Sequence, residues 1–368
     1  MDLPLVPFND LKRVYGRFSP QIGSEVSRVL ASGWWISGKS VENFAADFQR
    51  AVGVKHCIPV ANGTDALEIA LKVVAQPGKA EVVTVANAGG YVSTAARSAG
   101  LVPMFADIER DSLLMSISSA IMQVGNNTAA VVATHLFGSV VDIDELRRSM
   151  DAAGYPGVPI IEDCAQAHGA TLGSRCVGSL ADIGTYSFYP TKNLGAVGDA
   201  GAIVTNSDTY AARASSIRQY GWREKYHIGY EGGRNSRMDE IQAAVLSVML
   251  PYLSELNSVR AQIRNTYRIS LSNSVVIPKN AEGGVTHLIP LLVENRDGLR
   301  KHLQRRGIGT EIHYPILDCD QEAWTDLKRI DLPVSKWAVE RILSIPCFVG
   351  MTEREQNAVC EAINGFYK

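Results

Sequence analysis

The chain has 368 residues, 46% of them hydrophobic and 20% charged, with a formal net charge of -2. That length is enough for two hydrophobic cores, and the near-neutral balance argues against a nucleic-acid partner. No apolar run approaches a membrane span, the N-terminal stretch lacks the apolar core of a secretion signal, and the six cysteines show no CxxC pairing; the expectation is a cytoplasmic protein with reduced, mostly buried thiols and no membrane contact.

In chain order, short apolar runs alternate with helical patterns from about residue 55 to 205. The runs are CIPV (57–60), EVVTV (81–85), LVPMFAD (101–107), AAVVAT (129–134), VPIIED (158–163), IGTYSF (183–188) and GAIVTN (201–206). Between them TDALEIALKVVA (64–75), VSTAARSAG (92–100) and DIDELRRSMDAAG (142–154) carry capping or acidic residues at their starts or glycine at their ends. This alternation predicts an α/β layer with a mainly parallel sheet covered on both faces. EIQAAVLSVML (240–250) is apolar nearly all round, which predicts a helix covered on every side at a domain or subunit junction. After the Pro251 break a long amphipathic helix runs to about Leu271, and from Gly284 onward the pattern reads as a smaller α+β unit. The expected division is 1–250 as a large cofactor-binding unit with an N-terminal arm and 251–368 as the small C-terminal unit.

Lys192 lies in SFYPTKNLGAVGDAGA (187–202), after a strand and a Pro190 turn, where Gly195, Gly198 and Gly201 would let backbone approach a ligand. Such a setting suits an amine that forms a Schiff base. Asp163 ends a buried strand, where ligands bind in open α/β sheets, and a carboxylate there needs a cationic partner. The protonated ring nitrogen of pyridoxal phosphate is such a partner, although capping of the next segment is the commoner use of an aspartate there. Asn62, Gly63 and Thr64 open an amphipathic helix whose free N–H groups and dipole make a phosphate site, and Ser187 adds a second hydroxyl. Tyr91 follows Gly89 and Gly90 at another strand end and could stack on a flat cofactor. No GxGxxG follows the first strand, so a dinucleotide cofactor lacks its fingerprint. The histidines at 135, 168, 227, 287, 302 and 313 show no metal-ligand spacing, so no metal is expected.

Taken together, ANGTDAL, IIEDCAQAHGA, SFYPTKNLGAVGDAGA and GGRNSRMDEIQAA resemble the sugar aminotransferases of the DegT/DnrJ/EryC1/StrS family. The resemblance implies a fold-type I pyridoxal-phosphate enzyme, with Lys192 bound to the cofactor aldehyde, Asp163 at the ring nitrogen, Gln166 near the ring oxygen and Tyr91 on the ring face. It implies Gly63, Thr64 and Ser187 at the phosphate, joined by Asn235 from a partner subunit, and hence a homodimer with shared active sites. Tyr189, His313 and Tyr314 are implied as sugar contacts, and Trp34 and Trp35 could line the nucleotide end. VANAGGY departs from the proline- and threonine-rich strand end usual in the family, and YPILDCDQEAW lacks a histidine often found after the YP pair.

In related dehydratases the lysine position carries histidine, so Lys192 implies transamination. The donor implied is L-glutamate, and pyridoxamine phosphate is the form that carries nitrogen between half-reactions. YGWREKYHIGYEGGRNSRMDEIQAA (220–244) resembles members acting on dTDP-linked 3-keto-6-deoxyhexoses, which would yield a dTDP-3-amino-3,6-dideoxyhexose. Amination at C4 of an NDP-4-keto-6-deoxyhexose is the alternative within the class, and a non-catalytic cofactor-binding or regulatory protein on the same fold is the alternative outside it.

Overall fold

The apolar runs between residues 56 and 205 form the seven strands of one sheet in the computed structural model, which describes residues 6–327 and 330–367. The outer limits of the two expected units, residues 1 and 368, lie outside the described residues. The strands are β1 (His56–Val60), β2 (Glu81–Val85), β3 (Val102–Ala106), β4 (Thr128–Thr134), β5 (Ile160–Asp163), β6 (Ile183–Ser187) and β7 (Gly201–Thr205). Their spatial order is β1-β7-β6-β5-β4-β2-β3, parallel throughout except for β7, which runs against both neighbours. All seven residues of β4 are buried, as expected of a strand covered on both faces.

Alternation along the strands divides the core between the two faces. In β4, Val132 joins Ala66, Ile69 and Ala70 of the Gly63–Val74 helix on one side. Its neighbour Val131 joins Leu146 and Met150 of the Ile143–Ala152 helix on the other. Further along the sheet, Phe44 and Phe48 of the Lys39–Val52 helix pack edge-on against Phe188, and Phe48 also against Tyr186.

The apolar Glu240–Met249 helix finds its cover within the chain, against the Ser19–Ser32 and Lys39–Val52 helices. Glu240 reinforces that packing: its buried carboxylate accepts N–H bonds from Gly38 (2.8 Å), Ser40 (2.8 Å) and Val41 (3.0 Å), capping the Lys39–Val52 helix. Those donors are orphans of a helix start and the charge complements its dipole.

A separate core assembles Ile263 and Tyr267 of the Leu253–Ser270 helix, Leu299 and Leu303 of the Arg296–Arg305 helix, and Val359 and Ile363 of the Glu353–Phe366 helix. These pack on an antiparallel pair, β8 (Ile289–Leu292) and β9 (Ile342–Ile345). β9 follows the Pro333–Arg341 helix directly and did not stand out in the sequence. Val6 and Val14 belong to this core, and Val6 exchanges backbone bonds with Gly307 and Gly309. All six cysteines are free, and no helix among the described residues is long and apolar enough to cross a membrane.

Candidate active site

The C-terminal ends of β5 and β6 and the N-terminus of the Gly63–Val74 helix open onto a cavity of about 610 Å³. Ten of the eleven residues expected at the site line it: Gly63, Thr64, Tyr91, Asp163, Gln166, Ser187, Tyr189, Lys192, His313 and Tyr314. The eleventh, Asn235, is exposed and lies outside the lining, as do Trp34 and Trp35.

Asp163 is the last residue of β5 and is 6% exposed. Its Oδ1 accepts from the Ala165 N–H at 3.1 Å, and Thr134 Oγ1 lies 3.4 Å from Oδ2. Burial pushes its carboxyl above the usual range, against the opposing pull of the Ala165 N–H and of the Lys192 charge. Two weakly engaged oxygens in a dry setting leave room for a cationic donor. Lys192 sits in the turn after β6, its N–H donating to Tyr189 O at 2.8 Å. Burial pushes its amine down to about 8, with Asp163 pulling the other way. An amine so placed is neutral in a useful fraction near physiological pH, which a nucleophile or proton carrier requires.

Gly63 is the first residue of its helix, and a Cβ there would lie 2.5 Å from Ser187 Cβ and 3.1 Å from Ser187 Oγ. The glycine lets the helix start press against the end of β6, so that helix N–H groups and two hydroxyls face one spot. Asn62 caps the helix, its side chain accepting from Asp65 N–H at 2.8 Å, and this leaves earlier N–H groups free for an anion.

Tyr91 begins the Tyr91–Ser98 helix and is 50% exposed, edge-on to Tyr314 at 6.1 Å between ring centroids. Gln166 accepts from Phe137 N–H at 2.7 Å and donates to Tyr314 OH at 3.1 Å, so both polar ends of its amide are engaged. Burial pushes the Tyr314 phenol well up. His313 shares a 3.0 Å hydrogen bond with Ser344 Oγ, and burial pushes its imidazole down to about 4, so it is neutral at pH 7.

Three further residues shape the site without having stood out in the sequence. Buried Asp318 accepts from Gly90 N–H at 2.8 Å and Ser93 Oγ at 2.5 Å, fixing the start of the helix that carries Tyr91. Arg260 and His287 line the cavity from the later part of the chain, and burial pushes the His287 imidazole well below its usual range. All three come from segments far from Lys192 in sequence, and no local motif marks them. Gly195, Gly198 and Gly201, in contrast, do not line the cavity: an added Cβ would meet Tyr15 and Pro190, Gln242, and Asn62 respectively. Their small size serves packing of the chain on itself, a correction to the expected ligand approach. Among the described residues, His135, Glu162 and Cys164 form a buried group of possible metal ligands. The Glu162 carboxylate is already saturated by the N–H groups of Gly178, Leu180 and Ala181 and by His135.

Known proteins resemble the chain over nearly its whole length. A family model described as the DegT/DnrJ/EryC1/StrS aminotransferase family matches residues 18–364. A "pleiotropic regulatory protein" of Geobacillus stearothermophilus is 35% identical over 99% of both chains. The "dTDP-3-amino-3,6-dideoxy-alpha-D-galactopyranose transaminase" of Aneurinibacillus thermoaerophilus is 34% identical over 98% of this chain and 99% of its own. Among solved structures, S. venezuelae DesV "in complex with ketimine intermediate" superposes with a TM-score of 0.94 at 32% identity, covering 99% of each chain.

Proposed function

The chain belongs to the DegT/DnrJ/EryC1/StrS aminotransferase family, and from that premise we propose that it moves an amino group from L-glutamate to a dTDP-linked 3-keto-6-deoxyhexose, giving a dTDP-3-amino-3,6-dideoxyhexose. It is a nucleotide-sugar aminotransferase dependent on pyridoxal phosphate. The donor set fits that cofactor: a buried carboxylate short of a cationic partner, a pressed-in glycine beside two hydroxyls, and one amine on the same cavity. Bound there, pyridoxal phosphate supplies an aldehyde carbon that exchanges amines and a ring that accepts electron density.

The chain's own residues then divide the labour. Lys192 removes the proton from the α-carbon of the donor amino acid and, in the second half-reaction, delivers one to the sugar carbon; its pKa near 8 suits both directions. Asp163 accepts the ring-nitrogen N–H and holds that proton in place. Gly63, Thr64 and Ser187 bind the phosphate through N–H and O–H donors, with Asn235 contributed by a partner subunit in a homodimer. Its exposure outside this chain's own cavity supports that placement. Tyr91 covers the ring, Gln166 lies beside its oxygen, and Tyr189, His313 and Tyr314 meet the sugar. Residues 1–250 and 251–368 are the large and small units, working in the cytoplasm.

The observation that carries this reading is the convergence of Lys192, Asp163 and the Gly63–Ser187 contact on one cavity. The position of amination rests on the 220–244 segment and on the similarity to a 3-amino-sugar transaminase. Incubation with glutamate and paired dTDP-linked 3-keto and 4-keto sugars tests it, the nitrogen being located by NMR. Turnover of the 4-keto compound alone overturns the C3 assignment in favour of the C4 reaction.

A second reading draws on the Geobacillus relative, whose printed name is that of a regulator. A non-catalytic protein, even one that holds pyridoxal phosphate, would leave it unchanged when L-glutamate is added, and glutamate-dependent loss of the borohydride-trappable adduct at Lys192 excludes it.

A further inference from the structure

Arg260 is 3% exposed and yet lines the active-site cavity. Its Nη1 donates to Cys347 O at 2.8 Å and to His287 O at 3.3 Å, and its Nε is buried with no partner. Among the described residues no carboxylate lies within 4.0 Å of the guanidinium. A buried, permanently charged fork that meets only carbonyl dipoles is costly to maintain and has donors to spare.

The rest of the cavity narrows what the fork awaits. Of the lining side chains, only Lys192 and Arg260 are available as cations at pH 7, because burial keeps His287 and His313 neutral. Lys192 is taken up by the amine and proton transfers proposed above. An amino-acid donor nevertheless brings carboxylate into this space, and a carboxylate matches a planar guanidinium edge with two parallel hydrogen bonds. Asn9 stands on the same cavity lining with its Oδ1 buried and unpartnered, and an amide can be turned to present its N–H₂ instead. A nucleotide diphosphate fits less well, since it carries more charge and is normally met by several donors at once.

Resting on the aminotransferase reading, we infer that Arg260, assisted by Asn9, is the anchor for a carboxylate of the amino-acid donor. It orients the donor so that its α-carbon faces Lys192, and it discriminates acidic α-amino acids from simple amines.

The test uses the holoenzyme and follows two half-reactions separately by absorbance: conversion by L-glutamate, and reconversion by the ketosugar. Glutarate, a dicarboxylate without an amine, serves as a non-reacting probe. Arg260→Gln is expected to raise the half-saturating concentrations of glutamate and glutarate by about 100-fold, with Arg260→Lys intermediate because it keeps charge without the fork. The ketosugar constant should stay within about 3-fold, which a merely structural role of Arg260 would not spare. Unchanged glutamate and glutarate constants, a parallel loss in both half-reactions, or a loss confined to the ketosugar each overturns the assignment. Should neither variant fold, glutarate soaked into crystals of the wild-type enzyme decides it: carboxylate oxygens at the Arg260 edge support the anchor, and a carboxylate elsewhere refutes it. A wild-type enzyme that binds glutarate through Arg260 but is not converted by any amino acid would instead sink the aminotransferase reading.

Discussion

Replacing Gly63 by alanine sets a favourable backbone effect against a steric one, and the structure decides between them. The glycine has no left-handed φ, so alanine suits its backbone and would add up to about 1 kcal/mol from helix propensity and reduced unfolded-state entropy. The new Cβ, however, would sit 2.5 Å from Ser187 Cβ and 3.1 Å from Ser187 Cα, about 1 Å inside the distance at which two carbons attract. Ser187 cannot yield easily, because it pairs with Gly201 of β7, which itself backs onto the Asn62 carbonyl. Overpacking of this kind costs about 1–3 kcal/mol, so the net change is a loss of roughly 1–2 kcal/mol and, for a chain of 368 residues, a fall in Tm of roughly 1–3 °C. The cofactor should suffer as well. If Ser187 Oγ holds the phosphate as proposed, displacing it removes a hydrogen bond to a charged group, a loss of about 10- to 100-fold in affinity. Calorimetry of the apoenzyme and an absorbance titration with pyridoxal phosphate measure the two effects. Gly23→Ala is the control: nothing lies within 4 Å of its added Cβ at this exposed position of the Ser19–Ser32 helix, so the same substitution should stabilise by about 0.5–1 kcal/mol. A Gly63→Ala enzyme with unchanged Tm and unchanged cofactor affinity would refute the close-approach argument.

Lys192→Met should stabilise the apoenzyme at pH 7 by up to about 3 kcal/mol, the value of lowering the folded amine from 10.5 to about 8. Between those values the unfolded chain holds the proton and the folded chain has lost it, so wild-type stability rises with pH across that window and the advantage of the variant disappears by about pH 10.5. Urea midpoints that stay parallel for the two proteins from pH 7 to 10.5 would refute it. Asp318 has the opposite sign of pH dependence, its carboxyl being pushed up by burial from 3.8 to about 7. The folded state therefore binds the extra proton between those values, and stability falls as pH rises through them, by at most about 4 kcal/mol. Asp318→Asn, which can still accept from Gly90 N–H, should lose that slope, so that its Tm relative to wild type climbs from pH 5 to pH 8; a constant difference would show that Asp318 does not titrate there.

The large sheet was legible because every strand of it announces itself locally. A buried parallel strand must be apolar along its whole length, and EVVTV at 81–85 and AAVVAT at 129–134 can hardly be anything else. Asp163, Ser187 and Lys192 were legible for a related reason: each sits at or just past the end of such a strand, where a polar residue after an apolar run is conspicuous. What escaped was whatever the chain brings from a distance. Arg260 belongs to an ordinary amphipathic helix and Asp318 to an irregular segment, and only the folded chain shows that one faces the cavity and the other caps the Tyr91 helix. The cover of the Glu240–Met249 helix escaped similarly, because two helices more than 180 residues earlier provide it, and apolarity says that a face is buried without saying by what.

The charges of the cavity bear on why the protein tolerates so much electrostatic cost in one place. Asp163 is a buried acid with weakly engaged oxygens, Lys192 a buried amine held below its usual pKa, and Arg260 a buried cation with no carboxylate beside it. A sequence selected for stability alone would replace such groups by apolar ones of similar size, which is often neutral or stabilising. Moving any one of them to pair with another would also relieve the cost, yet they stay apart around a cavity of about 610 Å³. Each lacks a partner of a kind that a bound molecule can provide: a ring N–H for Asp163, a carbonyl carbon for Lys192 and a carboxylate for Arg260. On the proposed reading, the unpaired charges are the imprint of three ligand groups. Their separation across the cavity sets the geometry in which those groups must meet, which ties the instability of the empty site to the specificity of the filled one.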